Sequence, residues 1–181
     1  MFGVCFTHYC QPTVSPEYFA RIVPISLNKP TRRFVSSWVP VIVWMMLIFA
    51  GSSDALSAEH TSRFLVPFLR WLDPKMSFET IATIHFTLRK MGHFTEYFIL
   101  AALLWRALRG TFNALPRTLI SGVTFLIAAA FAASDEFHQS FVPSRTSTFH
   151  DVMIDCFGAI CAVALCAMLS AMRQPRSAAR I

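Results

Sequence analysis

Residues 118–172 read TLISGVTFLIAAAFAASDEFHQSFVPSRTSTFHDVMIDCFGAICAVALCAMLSAM. Two apolar runs, Thr118–Ser134 and one from near Thr148 to about Met172, are joined through a polar stretch, Ser134–Asp155, that holds Asp135, Glu136, His138, Arg145, His150, Asp151 and Asp155. Crossing a hydrocarbon core of about 30 Å takes about 20 helical residues, so the shorter run must finish its crossing with polar ends. Backbone groups in lipid have to be satisfied within the segment, which makes such runs helices. The polar stretch is then a connection on one membrane face, broken at Pro143.

Two more runs precede this pair. Phe34–Ala50, FVSSWVPVIVWMMLIFA, stops at Gly51-Ser52-Ser53-Asp54, and its Pro40 is tolerated in a membrane helix. The other, Met91–Leu108, is the later part of a helix that Ser77 can cap, with Glu79 in its first turn and an expected end at Gly110. Between them, residues 54–76 are amphipathic: Phe64, Leu65, Phe68, Leu69 and Leu72 share one stripe, and Trp71 suits an interface. Pro67 is expected to weaken any continuous helix there. The fold class expected is all-α: a polytopic membrane protein with four transmembrane helices and an amphipathic interfacial segment between the first two. Residues 34–172 form that membrane domain, with tails at 1–33 and 173–181.

Composition agrees. The 181 residues are 55% hydrophobic and 14% charged, with a mean hydropathy of +0.50, against about a quarter charged in soluble domains. The net charge of +6 is spread along the chain without the basic run that nucleic acid calls for, so no nucleic-acid partner is expected. Pro12, Pro16, Glu17 and Pro24 interrupt the first residues, which do not read as a signal peptide. Cys156, Cys161 and Cys166 fall on different sides of a helix, and no CxxC occurs; with Cys5 and Cys10 they read as small packing residues.

Charge sets the expected orientation. With four spans, Arg21, Lys29, Arg32, Arg33, Arg106, Arg109, Arg117, Arg173, Arg176 and Arg180 share one side, and Arg63, Arg70, Lys75, Arg89, Lys90 and Arg145 the other. The richer side is cytoplasmic, which places both termini there. Every acidic residue except Glu17 then lies on the outer side.

Three pieces meet on that outer face. Lys90, His93 and Tyr97 are spaced i, i+3, i+7 with Phe86 in the same stripe, and His85, Arg89, Gly92 and Glu96 form a second stripe beside it. Asp135, His138 and Gln139 share a face if their helix persists, with Glu136 turned about 100° away. Asp151 and Asp155 stack at i, i+4, with Gly158 on the same face to admit a close helix. Ionisable groups beside a membrane are costly, so their gathering argues for a wet pocket lined by Lys90, Arg145, carboxylates and imidazoles. Structural roles compete. Asp151 can cap a helix that starts at Thr148, Lys90 can snorkel, and Arg145 can staple Asp135 or Asp151. His93 with Tyr97 can be interfacial packing, and His85 and His150 can be neutral surface groups.

The motifs Lys90-x-x-His93-Phe94-x-x-Tyr97, SDEFHQSFVPSR at Ser134–Arg145 and Asp151-x-x-x-Asp155-x-x-Gly158 resemble the VanZ-like family over residues 34–172. Ser52-Ser53 also fits its pattern, while Ser144 stands where glycine often follows the family's proline. The resemblance implies a small multi-pass protein of the bacterial inner membrane. The family takes its name from a member associated with resistance to the glycopeptide teicoplanin, and no settled reaction accompanies the motif.

Three function classes follow. The first is a module that binds a membrane lipid headgroup, a cell-wall precursor or an envelope protein. In it Lys90 and Arg145 hold phosphate or carboxylate, and His93, Tyr97 and Gln139 add hydrogen bonds. The second is a membrane-embedded enzyme using His93, Asp135, Glu136, His138 and Asp155 as acid–base groups or for a divalent metal. No HExxH, CxxC or GxSxG supports it, no cofactor is indicated and no metal-ligand set is assigned. The third is transport, for which four spans are few unless a homo-oligomer supplies more.

Overall fold

The computed structural model describes residues 29–52, 58–142 and 148–172. They form five helices: α1 (Lys29–Gly51), α2 (Ala58–Leu72), α3 (Phe78–Thr111), α4 (Arg117–Gln139) and α5 (Phe149–Met172). No strand occurs among the described residues. Helix α3 is the hub. It packs against α1, α4, α5 and α2, and α4 also packs against α5.

The local causes match the sequence. Ser77 caps α3, its hydroxyl oxygen accepting from the Thr80 N–H at 3.1 Å. That helix runs one residue past Gly110, and the Phe112 N–H closes it onto Leu108 O at 2.7 Å. Helix α4 persists through Gln139, well beyond the apolar run, so Asp135 and Gln139 do share a face. Helix α2 is unbroken at Pro67, against expectation. The carbonyl that a proline leaves without a donor belongs to the residue four earlier, here Arg63, which is exposed and can be satisfied from outside. Pro40 does the same inside α1. It frees the Ser36 carbonyl, and Arg106 Nη2 donates to that oxygen at 3.4 Å.

Small residues let the helices close up. The core around Tyr97, Leu100 and Leu104 is completed by Ala128 and Ala132 of α4 and Ala159 and Ala162 of α5. Gly158 is the tightest point: a Cβ there would lie 2.4 Å from the Phe94 carbonyl oxygen. The large side chains face outward instead, among them Ile42, Met46 and Leu47 of α1, Leu126 of α4, and Ile160 and Met168 of α5. A small-residue interior under a large apolar exterior is what helices packed in lipid use.

Three helices are long and apolar enough to cross a membrane: Thr31–Gly51, Arg117–Gln139 and Phe149–Met172. Helix α3, 34 residues long, does not join them because of its composition, although Met91–Leu108 was expected to span. As the hub it turns its buried faces to protein, and its middle carries His93, Glu96 and Tyr97. Helix α2 buries Leu69 and leaves Phe64, Phe68, Trp71 and Leu72 exposed.

Antiparallel α1 and α3 are tied along their length. Trp38 Nε1 donates to Thr111 Oγ1 at 2.9 Å, and Trp44 Nε1 to the Glu96 carbonyl at 2.9 Å. Ser52, at the end of α1, therefore sits beside the polar middle of α3. The opposite end carries Arg32, Arg33, Arg106, Arg109 and Arg117.

Candidate functional site

Four helices deliver polar side chains to one end of the bundle: the C-terminus of α1, the middle of α3, the C-terminus of α4 and the N-terminus of α5. Ser52 Oγ donates to Asp135 Oδ2 at 2.7 Å. Gln139 Nε2, one turn beyond Asp135, donates to that same oxygen at 3.1 Å and to Ser52 Oγ at 3.1 Å. All three residues are buried. One face of α4 is thereby latched to the end of α1.

The α4–α5 connection is latched as well. Glu136 Oε1 accepts the Thr148 backbone N–H. Thr148 Oγ1 donates to Asp151 Oδ2 at 2.8 Å, and Lys90 Nζ pairs with Asp151 Oδ1. Lys90 also lies 5.0 Å from the centre of the Phe86 ring, in the stripe read from the sequence. Asp151 thus ties α5 to α3, beyond any capping role.

One turn deeper the partners run short. His93 Nδ1 and Asp155 Oδ1 are 3.2 Å apart, within ion-pair range, and neither atom has another partner among the described residues. The Tyr97 hydroxyl and Asp135 Oδ1 are also buried without a hydrogen-bond partner among the described residues. Relative exposures are 0% for Tyr97, 1% for Asp155, 2% for Asp135 and 8% for His93, so bulk water does not reach these groups freely. An unsatisfied buried hydroxyl costs about 1–3 kcal/mol, which makes the cluster expensive as pure scaffold. Tyr97→Phe is accordingly expected to leave the melting temperature unchanged or raise it; a clear drop on thermal unfolding in detergent would mean the hydroxyl is already bonded.

Beside this cluster opens a cleft of about 110 Å³ lined by Gly51, Ser52, Arg89, Gly92, His93, Glu96 and Gln139. That is space for several waters or a small polar group. Two other recesses, of about 190 and 420 Å³, are lined by apolar side chains at the α3–α4 turn and on the α1 face. They lack the convergent polar groups of a recognition site.

Of the residues singled out from sequence, Lys90, His93, Tyr97, Asp135, Glu136, Gln139, Asp151 and Asp155 do converge. His138 turns away and stacks on Phe49 of α1, ring centres 4.3 Å apart. Arg145 lies outside the described residues. Lys90 is engaged by Asp151 and does not line the cleft; its neighbour Arg89 does, with no carboxylate in ion-pair range among the described residues. Arg89 and Ser52 are the members that sequence reasoning passed over, although the Arg89–Gly92–Glu96 stripe and the Ser52-Ser53 pair were both visible. No group of three or more His, Cys, Asp or Glu side chains among the described residues is arranged to hold a metal ion.

A family model described as VanZ/LLP1 matches residues 37–170. No curated protein and no solved structure matches the chain.

Proposed function

The chain belongs to the VanZ/LLP1 family, and from that premise we propose that it is a four-span bacterial inner-membrane protein whose cleft binds the headgroup of an envelope lipid or lipid-linked cell-wall precursor. The fourth span is the later half of α3, Met91–Leu108, sheathed by the other three. The arginine-rich end faces the cytoplasm together with both termini, and the cleft opens at the outer edge of the bilayer. Helix α2 lies on that outer surface with Phe64, Phe68 and Trp71 in the headgroup layer. A role in the cell envelope, glycopeptide resistance included, belongs to this reading.

The observation that carries it is a guanidinium, Arg89, which lines a polar cleft together with Glu96 and has no carboxylate in ion-pair range among the described residues. Arginine presents a planar fork of donors suited to phosphate. Ser52, His93 and Gln139 supply further polar groups on the same wall. Native mass spectrometry of the detergent-purified protein titrated with phosphatidylglycerol tests this. Arg89→Ala is expected to weaken retention about 10- to 100-fold, the loss of a hydrogen bond to a charged group. Equal retention by both proteins contradicts the reading.

One observation favours an enzyme as the second reading. Ser52 lines the cleft and its hydroxyl donates to the buried Asp135 carboxylate, a pairing of nucleophile and base. Turnover of an envelope lipid that is lost in Ser52→Ala supports it; binding without turnover removes it.

A further inference from the structure

The unpartnered cluster behind the cleft points to the class of headgroup. Asp135 and Asp155 are both buried, and only His93 stands within ion-pair range of either among the described residues. The fields of both carboxylates reach the Tyr97 hydroxyl, and that of Asp135 reaches Asp155, so the groups form one electrostatic unit. Two carboxyl groups share one imidazole among the described residues, so a further cation between them is favoured. Asp135 Oδ1 and the Tyr97 hydroxyl have no hydrogen-bond partner among the described residues, and Asp155 Oδ1 has His93 Nδ1 beside it at 3.2 Å. His93 lines the cleft and faces Asp155, while Gln139 and Ser52 line the cleft and hold Asp135. His93, Ser52 and Gln139 therefore touch both the cleft, where Arg89 lies, and the buried carboxyl groups.

We propose that the site takes an aminoalkyl phosphate headgroup, with its phosphate on Arg89 and its primary ammonium in the cluster of Asp135, Asp155 and Tyr97. This deepens the headgroup reading and rests on it. A primary ammonium carries N–H donors for Asp135 Oδ1 and the Tyr97 hydroxyl and a positive charge that both carboxyl groups favour. A quaternary ammonium has the charge without a donor and leaves those atoms unsatisfied at a buried site. A headgroup with no amine engages Arg89 alone.

The test is competitive native mass spectrometry of the full chain with phosphatidylethanolamine, phosphatidylcholine and phosphatidylglycerol carrying identical acyl chains. Phosphatidylethanolamine is expected to be retained about tenfold or more over either competitor, the worth of one charge-assisted hydrogen bond. Tyr97→Phe and Asp135→Asn are expected to erase that preference while phosphatidylglycerol retention stays as in the parent. Arg89→Ala is expected to reduce all three lipids. Free phosphoethanolamine at millimolar concentration displaces the lipid and phosphocholine does not, if the chemistry is that of the headgroup itself. Equal retention of the three lipids, or a preference that survives both Tyr97→Phe and Asp135→Asn, overturns the ammonium assignment and leaves the Arg89 reading standing. Retention of none of them overturns the headgroup reading itself.

Discussion

Gly158→Ala is expected to destabilise the protein by about 3 kcal/mol, at the upper end of what overpacking costs. The added methyl would meet the Phe94 carbonyl oxygen at 2.4 Å, with the Phe94 carbonyl carbon and Cα next nearest. These are backbone atoms of α3, so no side chain can rotate away. Relief requires α5 to move off α3, and that breaks the registry holding Asp151 on Lys90 and Asp155 beside His93. Gly92→Ala is the matched control, since a Cβ there meets nothing within 4 Å. It is expected to be neutral or to stabilise α3 by up to about 1 kcal/mol through helix propensity. Unfolding both variants in detergent micelles by heat or denaturant gives the comparison. Equal stability of Gly158→Ala and the parent would show that α3 and α5 do not approach as described.

Lys90→Met is the second large effect, expected to cost about 3 kcal/mol. It strands the Asp151 carboxylate, which is buried on the α3–α5 seam and retains, among the described residues, only the Thr148 hydroxyl. The lysine side chain is about a quarter exposed (24%), so the cost sits at the low end of the range for breaking a buried pair. Removing both partners is cheaper than removing one. The double variant Lys90→Met/Asp151→Leu is expected to recover more than half of the loss, because no uncompensated charge remains. If the two single substitutions simply add, the pair is not coupled and α5 is held in place by packing alone.

These two effects also mark how far the sequence could be read. The apolar runs located α1, α4 and α5 because a run of that length has few other solutions in lipid. Ser77 marked the start of α3 through local capping chemistry. Helical spacing placed His93 with Tyr97, Asp135 with Gln139, and Asp151 with Asp155 and Gly158, since period alone decides which residues share a face. The choice between neighbours about 100° apart on a helix was not legible. Lys90 and Arg89 are such neighbours, and the packing of α5 on α3 decides that Lys90 meets Asp151 while Arg89 lines the cleft. His138 and Gln139 are another pair, split by where α1 lands: Gln139 bonds Ser52 and His138 stacks on Phe49. Helix α3 is hard for a third reason. A hub sheathed by other helices is released from the apolar composition that identifies a span facing lipid.

The proposed headgroup site requires a polar cleft that is open to water at the outer membrane face and closed when a headgroup binds. Gly92→Cys, in a background with the five native cysteines replaced, tests it most directly, because position 92 lines the cleft and has room for a side chain. The thiol is expected to react with a membrane-impermeant maleimide added outside spheroplasts, and to be protected when the purified protein is reconstituted with excess phosphatidylethanolamine. Reaction only from the cytoplasmic side, or no reaction after solubilisation in detergent, would contradict it.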